Sequence, residues 1–87
     1  MPKRIDHIAI VVQDLDAALK VYRDALGLPL QRVENVPAES VKVAFLPLPE
    51  GDGEIELVQP TADDTGIARH LAKRGEGMHH ICFEVDD

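Results

Sequence analysis

Residues 4–14 read RIDHIAIVVQD, and residues 77–87 read GMHHICFEVDD. The first segment is dominated by β-branched residues over Arg4–Val12, the signature of a strand buried on both faces. Period-two alternation places Ile5, His7, Ala9 and Val11 on one face and Asp6, Ile8, Ile10 and Val12 on the other. The second segment repeats the first about seventy residues later, a spacing longer than solenoid periods. Asp6-His7-Ile8 matches His79-His80-Ile81, Val12 matches Val85 and Asp14 matches Asp87. His7 and His80 therefore hold the same slot in two copies of one strand, and His79 falls on the opposite face by alternation.

Between the copies the chain reads as helix, then three strands. Asp14 is an N-cap, and Leu15, Ala18, Leu19, Tyr22, Ala25 and Leu26 follow at helical spacing up to Gly27, so a helix is expected over Leu15–Leu26. Leu30–Val36, Val41–Leu48 and Glu54–Gln59 read as strands, with Pro47 and Pro49 ending the second at an edge or outside the ladder. Glu50-Gly51-Asp52-Gly53 is a turn. Thr61–Thr65 is a polar linker, Gly66–Arg74 a short helix with Ile67 and Leu71 inward, and Met78–Val85 a last strand. The fold class is α+β. Residues 1–60 form one β-α-β-β-β module, 61–77 a linker with a short helix, and 78–87 the first strand of a second module, all within one domain over 1–87. Two such modules place equivalent strands around a shared cleft. On this reading the second module lacks its helix and three strands, so its lone strand needs a partner.

Composition sets outer bounds. With 87 residues, 45% of them hydrophobic and none of them Trp, the chain supports one small aliphatic core. Nine basic residues against sixteen acidic ones give a net charge of -7, and without a dense Lys/Arg cluster nucleic-acid binding is excluded. No stretch is long and apolar enough to span a membrane, and the first twelve residues lack a signal-peptide core. A lone cysteine forms no intrachain disulfide, which fits a reducing cytoplasm.

A histidine within an aliphatic strand is costly unless partnered. His7 and His80 each have two readings: a core histidine bonded to backbone, or a neutral imidazole ligand for a divalent transition metal. Glu56 shares a face with Glu54 and Val58. It is an exposed strand carboxylate, or the member completing a His/Glu/His set that suits several metals. Gln59 is a weaker oxygen ligand. Cys82 shares a face with His80 and reads as a small core residue, and His70 reads as solvated. Lys42, Arg69 and Lys73 have two readings: contacts to a phosphate of the substrate, or the exposed basic side chains common on any surface. No GxGxxG, P-loop, CxxC or HExxH motif occurs, so phosphoryl transfer and Rossmann-type redox chemistry have no support.

IDHIAIVVQDLDAALKVYRDALGL resembles the opening of vicinal-oxygen-chelate (glyoxalase/bleomycin-resistance/dioxygenase) proteins. VKVAFLPL, EIELVQP and HLAKRGEGMHHICFEVDD are similar to the methylmalonyl-CoA epimerases within that superfamily. The resemblance covers essentially the whole chain and implies paired βαβββ modules around one divalent ion (Co, Zn, Mn, Ni or Mg). Its ligands would be His7, Glu56 and His80, with a fourth, a glutamate, from the second module. It implies an isomerase that removes the C2 proton of a CoA thioester to give an enolate and reprotonates the other face, interconverting (R)- and (S)-methylmalonyl-CoA. In some of these epimerases a catalytic glutamate lies on the strand that is VKVAFLPL here; the matching residue is Val43, so the chain's catalytic base is not identified.

Three alternatives stay open: a lactoylglutathione lyase-like isomerase, a metal-free small-molecule binding protein of the same fold, and a fragment that folds without catalysing. A homodimer is the expected assembly, each chain's last strand extending its neighbour's sheet.

Overall fold

The computed structural model describes residues 1–51 and 53–85. Asp87, read as the counterpart of Asp14, lies outside the described residues, as does Asp52 of the turn. Strand β1 spans Pro2–Val11, β2 Arg32–Val36, β3 Val41–Pro47, β4 Glu54–Pro60 and β5 Gly77–Val85; helix α1 begins at Leu15 and α2 spans Gly66–Arg74. The strands make one sheet in the order β2-β3-β4-β1-β5. β1 runs parallel to β4 and antiparallel to β5, and β2-β3-β4 is an antiparallel meander. The last strand thus finds its partner inside the chain, extending the same sheet beyond β1 and leaving its own outer edge free. β3 ends at Pro47, opposite Glu54, as a residue without an N–H requires.

The sheet's two faces differ. On one, Val12, Leu15, Leu19, Ala44, Leu46 and Leu57 form a closed cluster, with Ile10, Tyr22 and Ile55 against it. α1 covers this face. Asp14 starts the helix by accepting from the Ala17 N–H at 3.2 Å, and the Leu15 N–H donates to Gln59 Oε1 at 2.7 Å. Gln59 is therefore a helix cap on the α1 side of the sheet, not a ligand candidate. The other face carries a smaller cluster of Ala9, Val41, Val43 and Val58, flanked by Val36, Phe45 and Ile67 of α2, and is otherwise open. Thr65 caps α2 by accepting from the Ala68 N–H at 3.1 Å.

Two expectations change. The first helix is α-helical only over Leu15–Leu19; Lys20–Ala25 winds as a wider π-turn, with the Leu26 N–H on the Val21 carbonyl at 2.9 Å. The extra residue per turn shifts the helical phase, so Ala25 and Leu26, expected inward, are exposed. β1 is not buried on both faces along its length, since Pro2–Ile5 are exposed and full burial is reached only at Ala9 and Val11.

The β1–β5 ladder also breaks strict alternation. Ile5 pairs with Phe83 and His7 with Cys82, which makes Asp6 an extra residue on β1; Ala9 pairs with His80 and Ile10 with Met78, which makes His79 an extra residue on β5. A bulge sets two consecutive side chains against one partner and re-aims them. Gly53 backs the first bulge. Its φ is +107°, and a Cβ there would lie 2.6 Å from the Ile5 carbonyl oxygen and 3.1 Å from that of Asp6. Gly53→Ala is expected to destabilise the chain by at least about 1–3 kcal/mol, the cost of such a backbone conformation before the clash is added. Urea unfolding checks this, and an unchanged midpoint would refute the close approach.

Candidate metal centre on the open sheet face

The open face gathers all four histidines of the chain. His7 on β1 sits beside Glu56 on β4, because the parallel register sets Ala9 opposite Glu56 and His7 opposite Glu54. His7 Nδ1 lies 3.5 Å from Glu56 Oε2, and both side chains are 19% exposed. The bulge turns Asp6 onto the same face, contrary to simple alternation, and its Oδ2 lies 2.8 Å from His7 Nδ1. A carboxylate accepting from Nδ1–H fixes the tautomer and leaves Nε2 as the lone-pair nitrogen. That Nε2 faces His80 Nε2 at 3.4 Å.

This separation tests whether an ion fits. Two nitrogens bound at 2.0–2.1 Å to one tetrahedral ion stand about 3.4 Å apart, and a direct N–H···N bond at that distance is long. The facing imidazoles fit a shared divalent ion. His7 meets both other candidate ligands, but through different ring edges, Glu56 on the Nδ1 side and His80 on the Nε2 side. Asp6, His7 and Cys82 offer a further group, with one ligand atom from each all within 4.8 Å of one another.

The second bulge has a parallel effect. His79, expected on the opposite face, turns towards His80, their Nδ1 atoms 2.9 Å apart. His70 is half-buried rather than solvated, its ring centroid 4.8 Å from that of His79. Cys82, read as a small core residue, is only partly buried and belongs to neither hydrophobic cluster. Nothing in the period-two pattern announces these two bulges; they show only as one-residue slips between the paired strands, which have a third between Pro2 and Arg4.

Burial, with help from the His79 and His7 charges, pushes the His80 imidazolium to lower pKa, which favours the neutral, ligand-competent ring. Burial likewise raises the Glu56 carboxyl above its ordinary range; His7 opposes this, while Glu54 and Asp6 reinforce it. A carboxyl raised on folding contributes full stability below its unfolded pKa, and that contribution is lost as pH rises through the folded value. In the metal-free chain, Glu56→Gln is therefore expected to gain thermal stability over native as pH climbs from about 4 to about 8. Melting curves in chelator check the sign, and a gain that shrinks with pH would overturn it.

Residues 6–87 match the family model of the glyoxalase/bleomycin resistance protein/dioxygenase superfamily. The chain belongs to this superfamily. The superfamily's mixed architecture accounts for the five-stranded sheet with two helices. Among relatives, the chain is 40% identical to mouse mitochondrial methylmalonyl-CoA epimerase over 85 residues, which is 97% of the chain and 47% of that protein. It is 41% identical to ethylmalonyl-CoA/methylmalonyl-CoA epimerase of Cereibacter sphaeroides, covering 97% of the chain and 62% of the relative. The structure of a single-residue variant of Streptomyces coelicolor methylmalonyl-CoA epimerase in complex with 2-nitronate-propionyl-CoA superposes with a TM-score of 0.87 at 36% identity, covering 100% of this chain and 65% of that one. This superfamily member thus spans about half to two thirds of the length of these relatives.

Proposed function

We propose that this chain carries the metal-binding part of an epimerase that interconverts (R)- and (S)-methylmalonyl-CoA. His7 and His80 hold a divalent ion through Nε2, Asp6 orients His7, and Glu56 supplies a third ligand after turning its carboxylate towards the ion. When bound, the ion acts as a Lewis acid that stabilises charge developing on a carbonyl oxygen as the C2 proton leaves. The apolar patch of Ala9, Val43, Phe45 and Val58 beside it limits water around the reacting carbon. The observation that carries this reading is the pair of Nε2 atoms at 3.4 Å on an uncovered sheet face. The epimerase relatives, among them one solved with methylmalonyl-CoA and NH4+, supply the substrate class.

Val43 is 7% exposed and packed among aliphatic side chains, so no base comes from that position. The proton acceptor then belongs to a covering element on this face: a second βαβββ module, of which β5 is the first strand, or a second copy of the chain. Met78, Phe83 and Val85 on the edge strand β5 are exposed and give such a partner an apolar edge to extend, which supports a homodimer. The lone cysteine favours a cytoplasmic setting.

The test is exchange of the C2 hydrogen of methylmalonyl-CoA with deuterium from solvent, followed by mass spectrometry with the Co²⁺-loaded chain. Exchange above the buffer rate, reduced at least about 100-fold in His7→Ala, supports the reading; exchange equal in both chains refutes it. A lactoylglutathione lyase-like isomerase is the second reading, favoured by 34% identity over 86 residues to that enzyme from Haemophilus influenzae. Turnover of the methylglyoxal–glutathione hemithioacetal in place of C2 exchange would select it.

A further inference from the structure

The open face holds a second donor set, which adds Cys82, unused in the epimerase reading, to Asp6 and His7. The ladder sets Cys82 directly opposite His7, and the bulge adds Asp6 on the same side. One oxygen, one ring nitrogen and one sulfur stand within 4.8 Å of one another. A tetrahedral ion with ligands at 2.0–2.3 Å holds them about 3.4–3.8 Å apart, so small side-chain adjustments close the set. Asp6 Oδ2 and His7 Nδ1 are already 2.8 Å apart. Cys82 is a free thiol, partly open to solvent, and so reachable by an ion.

We infer that Asp6, His7 and Cys82 form a binding site for a thiophilic divalent ion, Zn(II) or Cd(II), with three protein ligands and one open position. The chemistry separates it from the His7/His80 pair. Thiolate is a soft ligand that selects zinc-group ions, whereas imidazole with carboxylate accepts Co and Mn as well. Binding deprotonates the thiol and replaces the proton shared by Asp6 and His7. It takes the carboxylate that orients His7 away from that task, so an ion here displaces one held between His7 and His80. The inference shares His7 with the epimerase reading but needs neither His80 nor any catalytic activity.

Titrating the 87-residue chain with Cd²⁺ while recording thiolate-to-cadmium charge-transfer absorption in the ultraviolet tests it. One equivalent should produce the band, with affinity lowered at least about tenfold in Asp6→Asn and in His7→Ala, and the band lost in Cys82→Ala. Co²⁺ binding to Cys82→Ala should persist, which shows that this variant still folds. A band absent from the native chain overturns the site, and so does one of unchanged affinity in His7→Ala, which would mean that Cys82 acts alone. Failure of the epimerase reading looks different: no Co²⁺ binding and no C2 exchange, with the cadmium band and its dependence on His7 intact.

Discussion

His80→Ala is expected to lower the affinity of the chain for Co²⁺ by more than about 100-fold, beyond the 10–100-fold that loss of an outer-shell partner causes, and to leave the far-ultraviolet circular dichroism unchanged. Both halves of this result follow from where His80 lies. It is exposed on the edge strand, its neighbours on β5 include exposed Met78 and Ile81, and neither hydrophobic cluster includes it. Removing its ring empties no core. Its Nε2 nevertheless supplies half of the facing pair with His7, and one imidazole with a single carboxylate is a poor divalent site. The variants should rank by role. His7→Ala matches or exceeds His80→Ala, since His7 also meets Glu56. Asp6→Asn should fall in the 10–100-fold range because towards Co²⁺ Asp6 acts through His7, and His79→Ala should change affinity less than about tenfold. Calorimetric titration of the four variants decides it, and Co²⁺ affinity unmoved by His80→Ala would remove the metal centre from between the two strands.

The repeat of DHI and HHI made the site's strands legible, because side-chain type and strand period are local properties. The same logic misplaced Asp6 and His79. Alternation assumes one residue per pairing step, and each of these residues sits at a slip in the β1–β5 register. That slip depends on Gly53 admitting the β1 backbone at close range and on how β5 lies along β1, both of which are tertiary. The helix after Asp14 was likewise legible at its start, where Asp14 caps the Ala17 N–H. It was not legible at its end, where a π-turn rotates Leu26 outward although its spacing from Leu15, Ala18 and Tyr22 fits an α-helix. Alternation puts Cys82 on the face of His80, and residue type makes His70 a solvated histidine; what decides the surroundings of both is which strand and helix lie alongside.

Leu57→Ala is expected to destabilise the chain by about 2–5 kcal/mol, the largest stability loss among these substitutions. Leu57 is 0% exposed and lies at the centre of the cluster under α1, with Ala44 opposite it on β3 and Ile10 opposite it on β1. Truncation leaves a void between the sheet beneath it and α1 above, and the sheet backbone cannot collapse into it, so the loss belongs in the upper part of that range. A domain of this size has a total stability on the order of 5–10 kcal/mol, and each 1 kcal/mol moves the midpoint by about 4–8 °C. The melting temperature should fall by roughly 15–40 °C, and a fraction of the chain should be unfolded at ambient temperature. The effect is expected to reach the candidate metal centre through β4, because Glu56 precedes Leu57 and points to the opposite face. Saturating Co²⁺ should restore part of the lost midpoint, since an ion that binds only the folded chain stabilises it by mass action. Thermal melts of Leu57→Ala with and without Co²⁺ test both statements: a loss under about 1 kcal/mol would mean the α1 cluster is loosely packed, and a midpoint indifferent to Co²⁺ would mean that the histidine face does not require the folded sheet.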